Sequence, residues 1–230
     1  MDFDGTISQV DVGEAIFKEF GDKEKVKKII DDLLNDRISS RQSWLMLCDS
    51  VPLIYKEELD NFIDKISLAP TFERFKKYCD DEKIEIYVLS DGFDYYINRI
   101  LEKNKIEGLK VYSNHLEILN SRMIPGFPYY DESSFSSANC KRNHIINHSS
   151  DDDFTVFIGD GNSDKDSIEY CDFIFAKDDL LRYCEKERIT FFPFKNFNDV
   201  IKKLNELKTK KRLKRRNRAQ LKRQQAYTIE

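Results

Sequence analysis

Two short apolar runs constrain the fold most. Residues 84–89 and 154–158 are rich in Ile, Val, Phe and Tyr and read as buried strands. Each ends abruptly in small and acidic residues, Ser90-Asp91-Gly92 after the first and Gly159-Asp160-Gly161-Asn162-Ser163-Asp164 after the second. Around them helical and strand-like stretches alternate. A helix opened by Pro70 covers 71–81, helices follow at 93–102, 141–147 and 180–186, and strands at 110–113 and 173–176. That alternation predicts an α/β fold with a Rossmann-like parallel sheet and ligands at the C-terminal ends of its strands. Residues 116–125 read as a hairpin and 126–137 as loop.

The polar residues at the strand ends carry a coherent chemistry. Asp2 and Asp4, two apart in Met1-Asp2-Phe3-Asp4-Gly5-Thr6, point the same way from an extended strand end. The pair suits an aspartate nucleophile beside an aspartate general acid/base, with a metal ion nearby. Ser90, followed by exposed backbone N–H groups at a strand end, makes a phosphate cradle. Lys141 opens a helix and can neutralise phosphate and carboxylate charge. Asp160 and Asp164 add hard oxygen ligands of the kind Mg²⁺ takes.

The segment between the first two of these motifs is different in character. Phe17, Phe20, Val26, Ile29, Ile30, Leu33 and Leu34 recur at three- and four-residue steps, and Trp44, Leu45 and Leu47 continue an apolar face. No strand-like alternation interrupts this helical insert before about Ile66. With 230 residues and 17 Phe and 11 Tyr, the chain has enough apolar mass for one main domain plus a small insertion. The five cysteines (Cys48, Cys79, Cys140, Cys171, Cys184) are scattered and odd in number, so reduced thiols and a cytoplasmic location are expected. No apolar run reaches membrane-spanning length and no signal-peptide pattern is present, which argues against a membrane partner.

Charge divides the chain. Ten Lys or Arg and no acid lie between Lys208 and Arg223, whereas residues 1–207 hold 28 bases and 41 acids. A basic tail on an acidic body is expected to be solvated, or to make weak, salt-sensitive contact with RNA or another polyanion, and to be dispensable for catalysis.

Taken in order, Asp2-Phe3-Asp4-Gly5-Thr6, Leu89-Ser90-Asp91-Gly92, Lys141 and Gly159 to Asp164 resemble the haloacid dehalogenase (HAD) superfamily phosphatases, in the phosphoserine phosphatase-like branch. Ser90 to Ile97, Val111 to His115 and Asp172 to Leu181 look more narrowly like the methionine-salvage phosphatases that act on 2-hydroxy-3-keto-5-methylthiopentenyl-1-phosphate. The resemblance implies a HAD core at 1–7 and 70–207, a small helical C1-type cap at 8–69 and a basic tail at 208–230. It implies that Asp2 attacks phosphorus, that Asp4 protonates the leaving alcohol and then activates water, and that Asp2, the Asp4 backbone carbonyl and Asp160 hold Mg²⁺ with support from Asp164. Thr6, Ser90, Gly92 and Lys141 are then the phosphate-binding residues. Asp11 falls where the phosphoserine enzymes carry a substrate-facing glutamate, and either lines the substrate or caps a helix. A leucine, Leu45, falls where those enzymes use an arginine for the substrate carboxylate; Arg37 or Arg41 are the substitutes at hand.

In this superfamily a hydrophobic strand leads into the first motif, and here only Met1 precedes Asp2, so a truncated first core strand is expected. Cys140, His144 and His148 share a helix face as zinc ligands can, without an obvious fourth ligand. The function expected is Mg²⁺-dependent hydrolysis of a small phosphorylated metabolite. The rival readings are a phosphoserine or phosphoamine phosphatase, and a catalytically impaired binding protein of the same fold with a nucleic-acid-contacting tail.

Overall fold

The computed structural model describes residues 1–150 and 152–228. In chain order these form the helices α1 (Val12–Phe20), α2 (Lys23–Leu34), α3 (Ser40–Ser50), α4 (Lys56–Ile63) and α5 (Phe72–Asp81), then strand β1 (Tyr87–Phe93) and helix α6 (Asp94–Lys103). Strands β2 (Lys110–Leu119) and β3 (Arg122–Gly126) come next, followed by α7 (Lys141–Asn147), β4 (Val156–Gly159), β5 (Phe173–Ala176), α8 (Asp178–Lys186), β6 (Phe192–Pro193), α9 (Phe197–Lys208) and α10 (Asn217–Thr228). The fold is α/β with a parallel sheet, as its sequence pattern predicts. The chain divides into two compact units. One comprises Met1–Asp2, Ala69–Tyr87 and everything from Lys141 on; the other comprises Phe3–Leu68 and Val88–Cys140, so the helical residues of the insert share a unit with 88–140.

The first unit is built on the parallel sheet β4-β5-β6. Its strands are short and apolar, with Phe157, Ile158, Ile174 and Phe175 almost fully buried. Phe197 at the head of α9 stacks on Phe75 and meets Phe72 edge-on, with ring centroids 4.9 Å and 5.4 Å away, tying α9 to α5. Residues 1 and 2 are held by backbone hydrogen bonds on two sides: Met1 N donates to Tyr87 O (2.7 Å) and Asp2 N to Ile158 O (2.9 Å).

The second unit holds α1 to α4 with α6 and the sheet β1-β2-β3. Capping explains where its helices begin. Asp11 Oδ1 accepts Glu14 N (2.7 Å), Asp22 caps α2, and Ser39 with Gln42 forms a capping box on α3. Val12, Ile16 and Phe17 of α1 and Val26 and Ile29 of α2 are buried. Leu34, one step round from the Val26–Ile29–Leu33 face, is exposed, and so is Leu45, so the apolar stripe is narrower than its composition suggests. Trp44 packs between Phe17 (5.9 Å) and Phe93 (4.9 Å), which fastens α3 to the end of β1. The hairpin β2-β3 is antiparallel with Leu119 opposite Arg122, and both turn residues, Asn120 and Ser121, have positive φ (49° and 60°). This is a two-residue type I′ connection, which suits strand twist.

Two strand boundaries differ from the sequence reading. The strand predicted over 84–89 runs from Tyr87 to Phe93. Residues 84–86 are used in leaving α5: Lys83 takes a left-handed φ of 56° and Ile84 N donates back to Cys79 O. As a result Ser90 and Gly92 lie within the strand's last residues. The strand predicted over 110–113 continues to Leu119 because β3 pairs along that stretch.

The basic tail also differs from a solvated run; its last two residues, 229 and 230, lie outside the described residues. Its helix α10 packs against a 3₁₀ turn, Ser167–Tyr170. Arg223 is fully buried: one of its nitrogens donates to Tyr170 O (2.5 Å) and Thr155 Oγ1 (2.9 Å), the other to Asp172 Oδ2 (3.1 Å). Arg216 donates to Ile168 O, Arg218 and Lys222 pair with Glu169, and Arg215 donates to Asp153 O. Composition could not reveal this, because every partner lies at least 48 residues away in sequence. Arg223 leaves Nε, and Asp172 leaves Oδ1, without a hydrogen-bond partner among the described residues, so the pair is held through single atoms and not as a fork. Arg223→Met, which strands the Asp172 carboxylate in the interior, should cost about 3 kcal/mol of stability. Chemical denaturation measures it, and Arg223→Met/Asp172→Leu should recover most of the loss.

Candidate active site

Lys141 organises the first unit's polar cluster. It is the first residue of α7, and only 1% of it is exposed. Its ammonium donates to Asp2 Oδ1 (2.6 Å), Asp164 Oδ1 (2.6 Å) and Ser163 Oγ (3.0 Å), which uses all three of its donors. Burial alone would push the Lys141 pKa down; the two carboxylates overcome it and raise the value above the ordinary lysine range. Asp164, wholly buried, is pushed up to about 6 by burial and by the charge of Asp2, against the pull of Lys141. Its other oxygen accepts Gly161 N (3.2 Å). Gly159 makes that approach feasible, since a Cβ there would sit 2.3 Å from Asp164 Oδ2.

Asp160 joins this cluster. Asp2, Asp160 and Asp164 each offer a carboxylate oxygen, and those oxygens lie within 4.8 Å of one another. Three carboxylates gathered in a largely buried place favour a cation among them. The donor set is all hard oxygen, which fits a divalent cation such as Mg²⁺ and not a thiophilic one. Among the described residues this acidic trio is the one group of three or more His, Cys, Asp or Glu side chains that comes together. Cys140, His144 and His148 do not form one; the two imidazoles lie parallel with centroids 6.3 Å apart.

The second unit gathers the other predicted residues around Asp4. Asp4 Oδ1 accepts Val12 N (2.9 Å), and Oδ2 accepts the hydroxyls of Ser90 (3.1 Å) and Tyr96 (2.9 Å). Ser90 Oγ in turn accepts Gly92 N (3.0 Å). Thr6 is buried at the tight turn after the first motif, its N–H bonded to Phe3 O (3.2 Å). Asp11 is an exposed helix cap. Arg37 pairs with Asp31 and Asp32, while the Arg41 guanidinium lies over the rings of Tyr130 (4.8 Å) and Phe127 (5.5 Å).

Two residues of this unit escaped the sequence reading although both lie in the segment Ser90 to Ile97. Asp91 was read only as part of a motif. Its Oδ1 accepts Ser137 Oγ (2.9 Å), Ala138 N (2.6 Å) and Asn139 N (2.9 Å), and its Oδ2 accepts Trp44 Nε1 (3.3 Å) and Ser40 Oγ. One carboxylate thus binds the insert helix α3 to the loop that ends just before Lys141. Tyr96 is the other; burial and the charge of Asp4 raise its pKa well above the usual phenol value, so it stays a donor. In the same unit a cavity of about 660 Å³ is lined by Asp94, Asn98, Ser113, His115 and Tyr129 among others, with His115 Nδ1 2.7 Å from Asp94 Oδ2. Two of the three segments that carry the narrower resemblance contribute to it.

The fold is that of the phosphoserine phosphatases. A phospho-aspartyl intermediate analogue of phosphoserine phosphatase superposes with a TM-score of 0.68 at 21% identity, over 88% of this chain and 95% of that one. Cytosolic 5′-nucleotidase IIIB bound to cytidine superposes at 0.53 with 15% identity, over 100% of this chain and 86% of that one. Among relatives, the 2-hydroxy-3-keto-5-methylthiopentenyl-1-phosphate phosphatase of Bacillus mycoides is 28% identical over 209 residues, covering 90% of this chain and 94% of its own. Pdp3-interacting factor 1 of Schizosaccharomyces pombe is 29% identical over 226 residues, covering 90% and 93%. The profile of the family described as "Putative Phosphatase" matches residues 1–186, and the chain belongs to that family: it is a HAD-type phosphatase of the phosphoserine phosphatase-like branch.

His144 supplies a pH test of the packing around α7. Burial, then the neighbouring His148, lowers its pKa from 6.5 to about 4. Between those values the unfolded chain takes up a proton that the folded chain refuses, so stability should fall as pH drops from about 6.5 to about 4. His144→Gln should flatten that part of the stability–pH curve relative to the unsubstituted protein. Equal slopes in urea titrations across the window would contradict the assignment.

Proposed function

We propose that this phosphatase is a Mg²⁺-dependent phosphomonoesterase of small phosphorylated metabolites that works through an aspartyl-phosphate. The observation that carries the reading is the buried ammonium of Lys141 spanning Asp2 and Asp164 at 2.6 Å each, with Asp160 beside them. Lys141 offsets the repulsion between the carboxylates and orients Asp2 in a site with almost no solvent. Asp2, Asp160 and the Asp4 carbonyl, with Asp164 in support, would hold Mg²⁺, which would supply further positive charge for the phosphoryl oxygens.

In the first half-reaction an Asp2 oxygen attacks phosphorus, the P–O bond to the substrate breaks, and the departing oxygen takes the proton of the Asp4 carboxyl group. In the second, Asp4 takes a proton from water, the water oxygen attacks phosphorus, and the bond to Asp2 breaks to release inorganic phosphate. Thr6, Ser90 and Gly92 bind the phosphoryl oxygens in this reading, and Lys141, its three donors held by Asp2, Asp164 and Ser163, attracts them by its charge. Asp11 supports the site chiefly as the cap of α1, whose first N–H donors include Val12 N on Asp4.

Within the substrate class, the enol phosphate of methionine salvage is the first candidate. Its support is the 28% identity to the Bacillus mycoides enzyme over nearly the whole of both chains. Phosphoserine is the weaker candidate: Leu45 offers no charge, and Arg37 and Arg41 are already engaged by acids and by aromatic rings. The five cysteines are buried and form no disulfide among the described residues, which supports a cytoplasmic setting. Among the described residues no helix is long and apolar enough to cross a membrane. A polyanion partner, on this reading, meets the exposed run Lys210, Lys211, Arg212 and Lys214, because the arginines beyond it are engaged with the body.

Turnover of p-nitrophenyl phosphate tests the mechanism. Asp2→Asn should abolish it, and Asp160→Ala should remove activation by Mg²⁺ while leaving the melting curve in place. Asp2→Asn at the unsubstituted rate, or activity that survives EDTA and dies with a zinc-selective chelator, would refute the reading.

A further inference from the structure

Tyr96 stands in the first turn of α6 with none of its surface exposed. Its hydroxyl donates to Asp4 Oδ2 at 2.9 Å, the same oxygen that accepts the Ser90 hydroxyl at 3.1 Å. Val12 N fixes the other oxygen at 2.9 Å. The phenol reaches Asp4 through space that a side chain at position 92 would fill. A Cβ on Gly92 would lie 1.6 Å from the Tyr96 hydroxyl oxygen and 2.6 Å from Asp4 Oδ2. The ring is braced by Phe3 (6.3 Å, tilted) and by the edge-on ring of Phe93 (6.5 Å).

A carboxyl group that must hand a proton to a departing oxygen needs its plane fixed, because proton transfer falls off steeply with misalignment. A carboxylate tied at one oxygen alone can still turn about its last bond; Val12 N holds Oδ1, and with Ser90 assigned to the phosphoryl group the Tyr96 phenol is the donor that keeps Oδ2, and so the plane, in place. We infer that Tyr96 is a positioning residue for the reaction, setting the plane of the Asp4 carboxyl group for proton transfer to and from the leaving group, and that Gly92 is small so that the phenol can reach it. This rests on the reading of Asp4 as general acid and base. It assigns to Gly92 a second duty beside phosphate binding, and to the segment after it a role that no phosphate contact requires.

The test separates proton transfer from general damage by varying only the leaving group. p-Nitrophenolate departs readily without a proton, while phenolate from phenyl phosphate needs one far more; the two substrates are otherwise close in shape and charge. For Tyr96→Phe, kcat/KM should fall about tenfold on phenyl phosphate and by less than about threefold on p-nitrophenyl phosphate, a fraction of the 10²–10⁴ that general acid catalysis is worth. The ratio of the two values does not depend on how much of a preparation is folded, so a destabilised variant still reports. Replacing Tyr96 with 4-aminophenylalanine, which restores an N–H donor on the ring, should return the ratio toward that of the unsubstituted enzyme.

Asp4→Asn is measured alongside and should change the ratio further in the same direction. If Asp4→Asn changes it and Tyr96→Phe lowers both substrates equally, the role of Tyr96 is overturned while the acid–base reading stands. If Asp4→Asn itself leaves the ratio unchanged, the acid–base reading fails and the role of Tyr96 falls with it.

Discussion

The buried ammonium of Lys141 is the interaction on which the rest of the first unit's polar chemistry depends. Asp164 has no exposed surface and Asp2 has 5%, and two buried carboxylates held near each other repel unless a positive charge lies between them. Lys141 supplies it from the first position of a seven-residue helix, where its stem runs inward and its three donors are all spent. Around this ion the chain makes exacting local choices. Gly159 clears a path for Asp164, Gly161 N–H caps its second oxygen, and the Asp2 backbone is clamped by Ile158. Removing the lysine would leave repelling acids in a low-dielectric interior.

The second unit uses the same device with the signs exchanged: carboxylates serve as hubs for neutral donors. Asp4 collects one backbone and two hydroxyl donors, and Asp91 collects two backbone and three side-chain donors. Asp91 thereby joins α3 of the insert to the loop at 137–139, so the position of a helix from the first quarter of the chain is tied to residues just before Lys141. The position of α3 is thereby linked to the end of β1 through a single side chain, with Trp44 packing on Phe93 as the apolar half of the same joint.

Much of this was legible in the sequence, for identifiable reasons. The α/β class followed from alternating apolar periods, and α7 and β5 begin and end where those periods do. The motif residues were legible because acids, small residues and a lysine at strand and helix ends have few other uses in combination. Asp11 was open between two roles, and its bond to Glu14 N makes it a cap. What stayed hidden depends on contacts remote in sequence. The start of β1 was misread because 84–86 have strand composition but serve the exit from α5. The tail looked solvated because its partners, Thr155, Glu169, Tyr170 and Asp172, give no local signal. Tyr96 was legible only as part of the segment Ser90 to Ile97, and its hydroxyl's destination could be read only from the fold.

The most direct measurement on the central claim is a rapid acid quench of the enzyme with ³²P-labelled phenyl phosphate in the presence of Mg²⁺. The account predicts protein-bound label that appears before free phosphate, is released by hydroxylamine as an acyl phosphate is, and maps to the peptide containing Asp2. Turnover with no protein-bound label at any quench time, or label on a peptide lacking Asp2, would contradict it.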